Sequence, residues 1–315
     1  MSQRKPIRML ILAKFEPEGL DGTLAGEARP YYDAYCRGGG SYTVPGCASP
    51  LYVKDGVALI VTGMGKINAA ITLTALLLDP RFDFSGAYFL STGCAGSAAG
   101  STVMGDVVLV TATADYDLGH HADCREMEDP ERPTWFADNY SGDAVCCRLD
   151  PALTERVWAL VKDFRPRTTE RTRAAMRAAF GDAPWARREP QVLRGTAVTG
   201  DNYWKGRYGH RTAELIAKTY GCPDPYAVSE MEDHALARVL ARFGLLAKLV
   251  VIRGSVNMDV FMGGLTPEAL WAPEHSHSLT SAESAEAADL FPVAMQNIFE
   301  VGRVIVDAAL SGLLT

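Results

Sequence analysis

Apolar residues come in short, nearly continuous runs at positions 7–13, 57–62, 87–92, 107–111, 192–199 and 249–252. Those runs are rich in β-branched and aromatic side chains, and their length suits strands buried on both faces. Elsewhere the apolar spacing turns helical, over residues 68–78, 152–164, 212–220, 232–243 and 290–310. Asp150-Pro151 reads as an N-cap followed by a first-turn proline, and Gly221 as the glycine that closes a helix. Strands alternating with helices predict one α/β domain over residues 1–315 with a mostly parallel central sheet. Residues 16–50 and 116–142 fit neither period, and loops of that length usually form lids or interfaces. The Arg- and Ala-rich residues 165–189 read as an inserted helix.

Composition narrows the classes. Hydrophobic residues make up 48% and charged residues 22%, enough for an ordinary core. A net charge of −7 without a clustered basic stripe argues against nucleic acid as a partner. The seven cysteines lack paired zinc-type spacing, so no metal is expected, and reduced thiols point to the cytoplasm. Basic residues precede the first apolar run, but Arg8 interrupts it and Lys14 ends it, which favours a strand over a leader. No run approaches the roughly 18 apolar residues of a membrane span, so no membrane insertion is expected.

Three stretches are too unusual for packing alone. Thr62-Gly63-Met64-Gly65-Lys66 closes a strand and opens a helix, where free main-chain NH groups can meet an anion; the plain alternative is a turn. Ser91-Thr92-Gly93-Cys94-Ala95-Gly96-Ser97 reads as a second glycine turn. Cys94 there suits pocket lining or a small buried apolar side chain, and no histidine is placed to make it a nucleophile. In Ser229-Glu230-Met231-Glu232-Asp233-His234, acids two residues apart can enter one site if the chain is extended; otherwise they decorate a helix N-terminus. Tyr203 and Trp204 follow a strand and suit stacking or core packing. Asn257 and Asp259 follow another strand. Glu16 and Glu18 follow the first strand, as site acids or as a charged loop start. His120 and His121 are adjacent and would point apart on a strand, so substrate contact or a subunit interface fits them better than metal.

In this order and spacing the motifs resemble the nucleoside phosphorylase and nucleosidase superfamily, and the chain from about residue 7 to beyond residue 271 looks most like its purine nucleoside permease (NUP) branch. The resemblance implies a three-layer α/β fold with a mixed, partly barrel-like sheet. It also implies N-glycosidic cleavage of a purine nucleoside. Gly63, Gly65, Ser91, Cys94 and Gly96 would line the phosphate or water site, with Ser91 where phosphorylases carry an arginine and Cys94 where they carry a serine. Met231 would lie under the ribose, Glu232 would grip its hydroxyls, and Glu230 would line the sugar site. Tyr203 or Trp204 would stack on the base. Relatives place a leaving-group acid where Asn257 stands, which leaves Asn257 for base recognition and Asp259 as the alternative proton source. An acid at the Glu18 position would activate water, and Glu16, His120 and His121 also recur in the family pattern.

Hydrolysis is slightly favoured over phosphorolysis because Ser91 replaces the arginine, a phosphate's strongest partner, and because Glu18 is available to activate water. No cofactor is implied; inorganic phosphate would be a co-substrate only in phosphorolysis. The expected partner is a purine nucleoside, and the expected assembly a homo-oligomer. The competing expectation is a nucleoside-binding component serving uptake, which would need neither acid.

Overall fold

The computed structural model describes residues 4–129, 135–136, 142–262 and 289–315. Its main strands are β1 (Met9–Ala13), β2 (Gly40–Tyr42), β3 (Leu51–Lys54), β4 (Val57–Val61), β5 (Tyr88–Ser97), β6 (Val107–Asp115), β7 (Cys146–Arg148), β8 (Val192–Thr199), β9 (Tyr226–Glu230) and β10 (Leu249–Met258). The main helices are α1 (Lys66–Leu78), α2 (Pro151–Val161), α3 (Glu170–Phe180), α4 (Arg207–Thr219), α5 (Asp233–Arg242) and α6 (Leu290–Ser311). The ten strands form one mixed sheet in the order β7-β6-β8-β9-β5-β1-β4-β3-β2, with β10 bonded to both β5 and β6. That double pairing closes a ring, because β5, β10, β6, β8 and β9 each bond to the next and β9 returns antiparallel to β5.

Burial on two faces explains the continuous apolar runs. In β1, Met9, Ile11 and Ala13 belong to the core that contains Val157 of α2 and Ile298, Val301 and Ile305 of α6. Leu10 and Leu12 belong to the core on the other face, with Leu73 and Leu76 of α1 and Leu236 and Leu240 of α5. The result is a helix, sheet, helix sandwich. The Asp150 carboxylate caps α2 by accepting from Leu153 N at 2.7 Å, and Gly221 turns the chain with φ of 57° just beyond α4.

Three strands run longer than their apolar cores suggest. β5, β6 and β10 continue to Ser97, Asp115 and Met258 through polar and glycine residues. Ser91–Ser97 is therefore strand, which corrects the reading of a second turn. Its glycines answer close approach: a Cβ on Gly93 would lie 2.5 Å from a Glu27 carboxylate oxygen, and one on Gly96 would collide with Ser229 Oγ. The strands β2, β3 and β7, three or four residues long, are too brief to show a period. Residues 16–50 hold a helical turn, Arg29–Tyr31, and the strand β2. The segment 165–189 holds α3 and a shorter turn, Pro184–Arg187. Part of the irregular segment 116–142, and the stretch around residue 271, lie outside the described residues. Among the described residues no helix is long and apolar enough to cross a membrane.

Candidate active site

Around the ends of β1 and β9 and the middles of β5 and β10 the structure gathers a buried cluster of charge. Glu230 ends β9, Glu232 follows, and Asp233 is the first residue of α5. Arg253 enters from the middle of β10 and is 1% exposed, among the largest fully buried side chains described. A buried guanidinium survives only if its donors are used. Arg253 donates to Asp233 at 2.7 and 2.8 Å, to Glu230 at 2.9 Å, to Glu232 at 3.1 Å and to the Cys94 carbonyl at 3.0 Å.

Lys14, the first residue past β1, is the second buried cation. Its ammonium donates to Ser91 Oγ at 2.5 Å and to the carbonyls of Leu12 and Thr92 at 3.0 Å each, which uses all three N–H groups. Ser91 Oγ in turn donates to Asp233 Oδ1 at 2.5 Å. A continuous chain thus runs from Lys14 through Ser91, Asp233 and Arg253 to the two glutamates.

Main-chain amides at this end are also assigned. Gly63 and Gly65 have φ of 82° and 91° and make the sharp exit from β4 into α1. Gly65 N donates to Glu232 Oε1 at 2.9 Å, and Lys66 N donates to Asp201 at 2.7 Å. Cys94 N donates to Glu27 Oε1 at 2.8 Å, while Glu27 Oε2 accepts from Lys14 N and Phe15 N at 2.8 and 3.2 Å. Glu230 Oε2 caps α5 by accepting from Glu232 N and Asp233 N, each at 2.7 Å, and its Oε1 accepts from Thr199 Oγ1. The two glutamates flanking Met231 therefore do different work: Glu230 finishes a helix end, and Glu232 reaches across to the glycine turn.

Burial and neighbours set the protonation of the cluster. Burial, then the charge on Asp233, pushes Glu230 up to about 7 against the pull of Arg253. Burial also raises Glu232, opposed by Arg253 and Lys14. For Asp233 burial acts upward, but Arg253 and Lys14 outweigh it and hold the carboxyl at about 2. Burial, helped by Arg253, lowers Lys14. Cys94 is raised well above its ordinary value by burial and then by Glu27, so it stays a thiol.

A second group sits beside the cluster. Asn257 pairs with Gly96 in the β5–β10 register, and its amide donates to Tyr203 Oη at 2.8 Å. Tyr203 is 48% exposed, whereas Trp204 stacks on Tyr116 with ring centroids 4.0 Å apart. Tyr203 is thus the ring that shares this place with Asn257.

Other expected residues are placed elsewhere. The Asp259 carboxylate accepts from His210 Nδ1 at 2.7 Å, Tyr226 Oη at 2.9 Å and Ala99 N at 3.1 Å. Burial acts to lower His210, but Asp259 outweighs it and raises the imidazole, as in an ion pair. This carboxylate anchors α4, which corrects its reading as a proton source. Glu18 is exposed and accepts from Thr23 and Leu24 of its own loop, which hold its carboxyl below the usual range. The acid that reaches the cluster is Glu27, which the sequence reading missed. Glu16 supports it by accepting from Gly26, Ala28 and Arg29 amides at 2.5 to 2.9 Å. His120 stacks on Phe136, and His121 bonds the Tyr116 carbonyl at 2.9 Å; both histidines lie on an exposed two-residue strand paired with Trp135–Phe136. Lys14 and Arg253 were also missed, although a charge at the end of a buried apolar run already calls for a partner.

Comparison with known proteins agrees with the fold. Residues 6–313 match the family described as purine nucleoside permease (NUP). A Schizosaccharomyces pombe protein named as a probable purine nucleoside permease is 24% identical, over 80% of this chain and 75% of its own. The 5'-methylthioadenosine/S-adenosylhomocysteine nucleosidase of Mycobacterium bovis is 31% identical, over 66% of this chain and 75% of its own. A solved Helicobacter pylori nucleosidase of the same name superposes with a TM-score of 0.59 at 13% identity, covering 97% of this chain and 99% of that one.

Proposed function

Since this chain belongs to the purine nucleoside permease (NUP) family, within the nucleoside phosphorylase and nucleosidase superfamily, we propose that it cleaves the N-glycosidic bond of a purine nucleoside with water. The observation that carries the reading is the assignment of donors at the glycine segments. Gly65 N and Cys94 N already serve carboxylates, and the Lys14 ammonium has no N–H left. A phosphate dianion would have to displace Glu232 or Glu27 and enter beside four carboxylates balanced by two cations, Lys14 and Arg253. Water needs none of those donors.

The same charge balance suits the chemistry. C–N cleavage builds positive charge on the sugar, and the Glu232 side chain beside Gly65 supplies a carboxylate for such a centre in a buried, preorganised setting. Glu27, held by the Lys14, Phe15 and Cys94 amides, is the carboxylate that takes the proton from water. Asn257, steadied by Tyr203, holds the leaving base by hydrogen bonds, and Met231 lies under the sugar.

Asn257 sets a preference. Its amide donates to Tyr203 Oη and, at 3.4 Å, to the Met258 carbonyl; the weaker bond gives way to a 6-oxo group, which the 6-amino group of adenine cannot replace as an acceptor, and one mismatched polar group costs roughly 1–3 kcal/mol. Inosine should therefore exceed adenosine at least several-fold in kcat/KM, and Asn257→Ala should erase the difference. Equal use of both nucleosides by the wild-type protein would remove Asn257 from base recognition.

A homo-oligomer belongs to the same reading. After Lys66, α1 carries no charged residue, and Ile67, Ile71 and Leu78 are 70%, 51% and 67% exposed. Large apolar side chains exposed together without a charged neighbour are normally covered. Ile71→Glu should shift the protein to a smaller species by light scattering without lowering its helix content; an unchanged mass would exclude this face.

The permease name of the Schizosaccharomyces pombe relative supports a second reading, nucleoside binding for uptake without cleavage. Purified protein incubated with a panel of purine nucleosides, with and without phosphate, separates the two. Free base released without phosphate is expected; tight binding with no release would favour the uptake reading.

A further inference from the structure

Cys146 and Cys222 are 76 residues apart in sequence, yet their sulfurs lie 3.3 Å apart. Cys146 opens β7 and faces Ala114 across the ladder, and Cys222 follows the Gly221 turn beyond α4. The two backbones are already docked. Arg148 donates to the carbonyls of Tyr220 and Gly221 at 2.7 and 3.1 Å, and Cys222 N donates to the Ala217 carbonyl at 3.0 Å. A disulfide needs sulfurs about 2.05 Å apart, so the pair must close by little more than an ångström. Cys147, the adjacent thiol, belongs to the core on the other side of its strand, as the alternation of side chains requires.

We propose that Cys146 and Cys222 form a reversible disulfide that staples the β7 edge to the end of α4 when the protein meets an oxidised low-molecular-weight disulfide. The electrons balance in two exchanges. Cys222, the more exposed of the two, attacks as thiolate and expels one thiol from the reagent, leaving a mixed disulfide. Cys146 then attacks the Cys222 sulfur and expels the second thiol. Two cysteine thiols lose two electrons, and one reagent disulfide gains them as two thiols that carry the protons. The hydrogen bond from Cys146 lowers the Cys222 thiol, which favours it as the first nucleophile.

The staple would act next to the charge cluster. α4 carries His210, which holds Asp259, and it follows the segment bearing Tyr203. Just before β7, the Ala144 carbonyl accepts from His234 Nε2 at 2.8 Å, two residues from Glu232. Joining these segments limits how far α4 can swing from the sheet.

The test is to treat the full-length protein with oxidised glutathione under native conditions, block free thiols, and map peptides without reduction. We expect a Cys146–Cys222 linked peptide that disappears with dithiothreitol, a melting midpoint raised by roughly 5 °C, and slower hydrogen exchange in α4. C222S, folded as judged by a melting midpoint near that of the reduced wild-type protein, should show none of these changes. Full alkylation of both thiols after oxidation, a bridge through Cys147, or a linked peptide without any shift in midpoint would overturn the proposal. Because no readout depends on nucleoside cleavage, its failure is distinct from failure of the proposed activity.

Discussion

Arg253→Met should cost on the order of 3–5 kcal/mol of folding stability, the range for removing one partner of a buried charge cluster. Methionine keeps much of the arginine stem, so lost packing is the smaller part. The larger part is the exposure of Glu230, Glu232 and Asp233 to one another, all nearly inaccessible to water and left with Lys14 as the nearby cation. Against a total of about 5–15 kcal/mol, that loss brings the variant close to unfolding at room temperature. It should also shrink as pH falls from 7 to 5, because carboxyls deprived of their guanidinium take up protons more readily. Urea unfolding at both pH values measures this directly. A loss below about 1 kcal/mol would mean that the four side chains are not coupled as the distances imply.

Glu232→Gln should keep the fold and lower kcat/KM by on the order of 10²-fold or more, the usual cost of removing a group that stabilises developing charge. The amide can still accept from Gly65 N, but its NH2 group would then oppose the Arg253 donor now 3.1 Å from Oε2. Both the negative charge and its alignment are lost. Unchanged turnover with a near-native melting midpoint would take Glu232 out of the reaction. The neighbouring Glu230 adds a pH signature. Its folded-state pKa of about 7 lies above the ordinary 4.5, so its contribution to stability is full below 4.5 and is lost as pH rises through 7. Asp233, held at about 2 against an ordinary 3.8, acts in the opposite window, stabilising above 3.8 and losing that contribution as pH falls through 2. Stability measured between pH 5 and 8 should therefore carry the downward slope of Glu230 alone from this pair.

The cores of β1, β4, β8 and β10 were legible because strands buried on both faces draw nearly continuous apolar runs, and α2 announced itself through Asp150 and Pro151. Closure of the ring was not. It depends on β10 reaching past Ile252 to pair with two strands at once, and on β9 meeting β5 through only Val228 and Ser229. No local period encodes such a pairing. Within the site, the acids beside Met231 and the first glycine turn were visible as motifs. Lys14, Glu27 and Arg253 were not, since the partners that give them a role come from distant segments. Glu18 illustrates the opposite error: position after a strand drew attention to it, yet the loop folds back and spends its carboxylate on Thr23 and Leu24.

The central claim is that the buried acid cluster breaks a nucleoside's C–N bond with water, using no phosphate. Reaction of purified protein with inosine in 18O-labelled water, with phosphate present at millimolar concentration, tests it most directly. The account predicts free hypoxanthine and ribose bearing the label at its anomeric oxygen. Ribose 1-phosphate as the product, or bound inosine recovered intact, would contradict it.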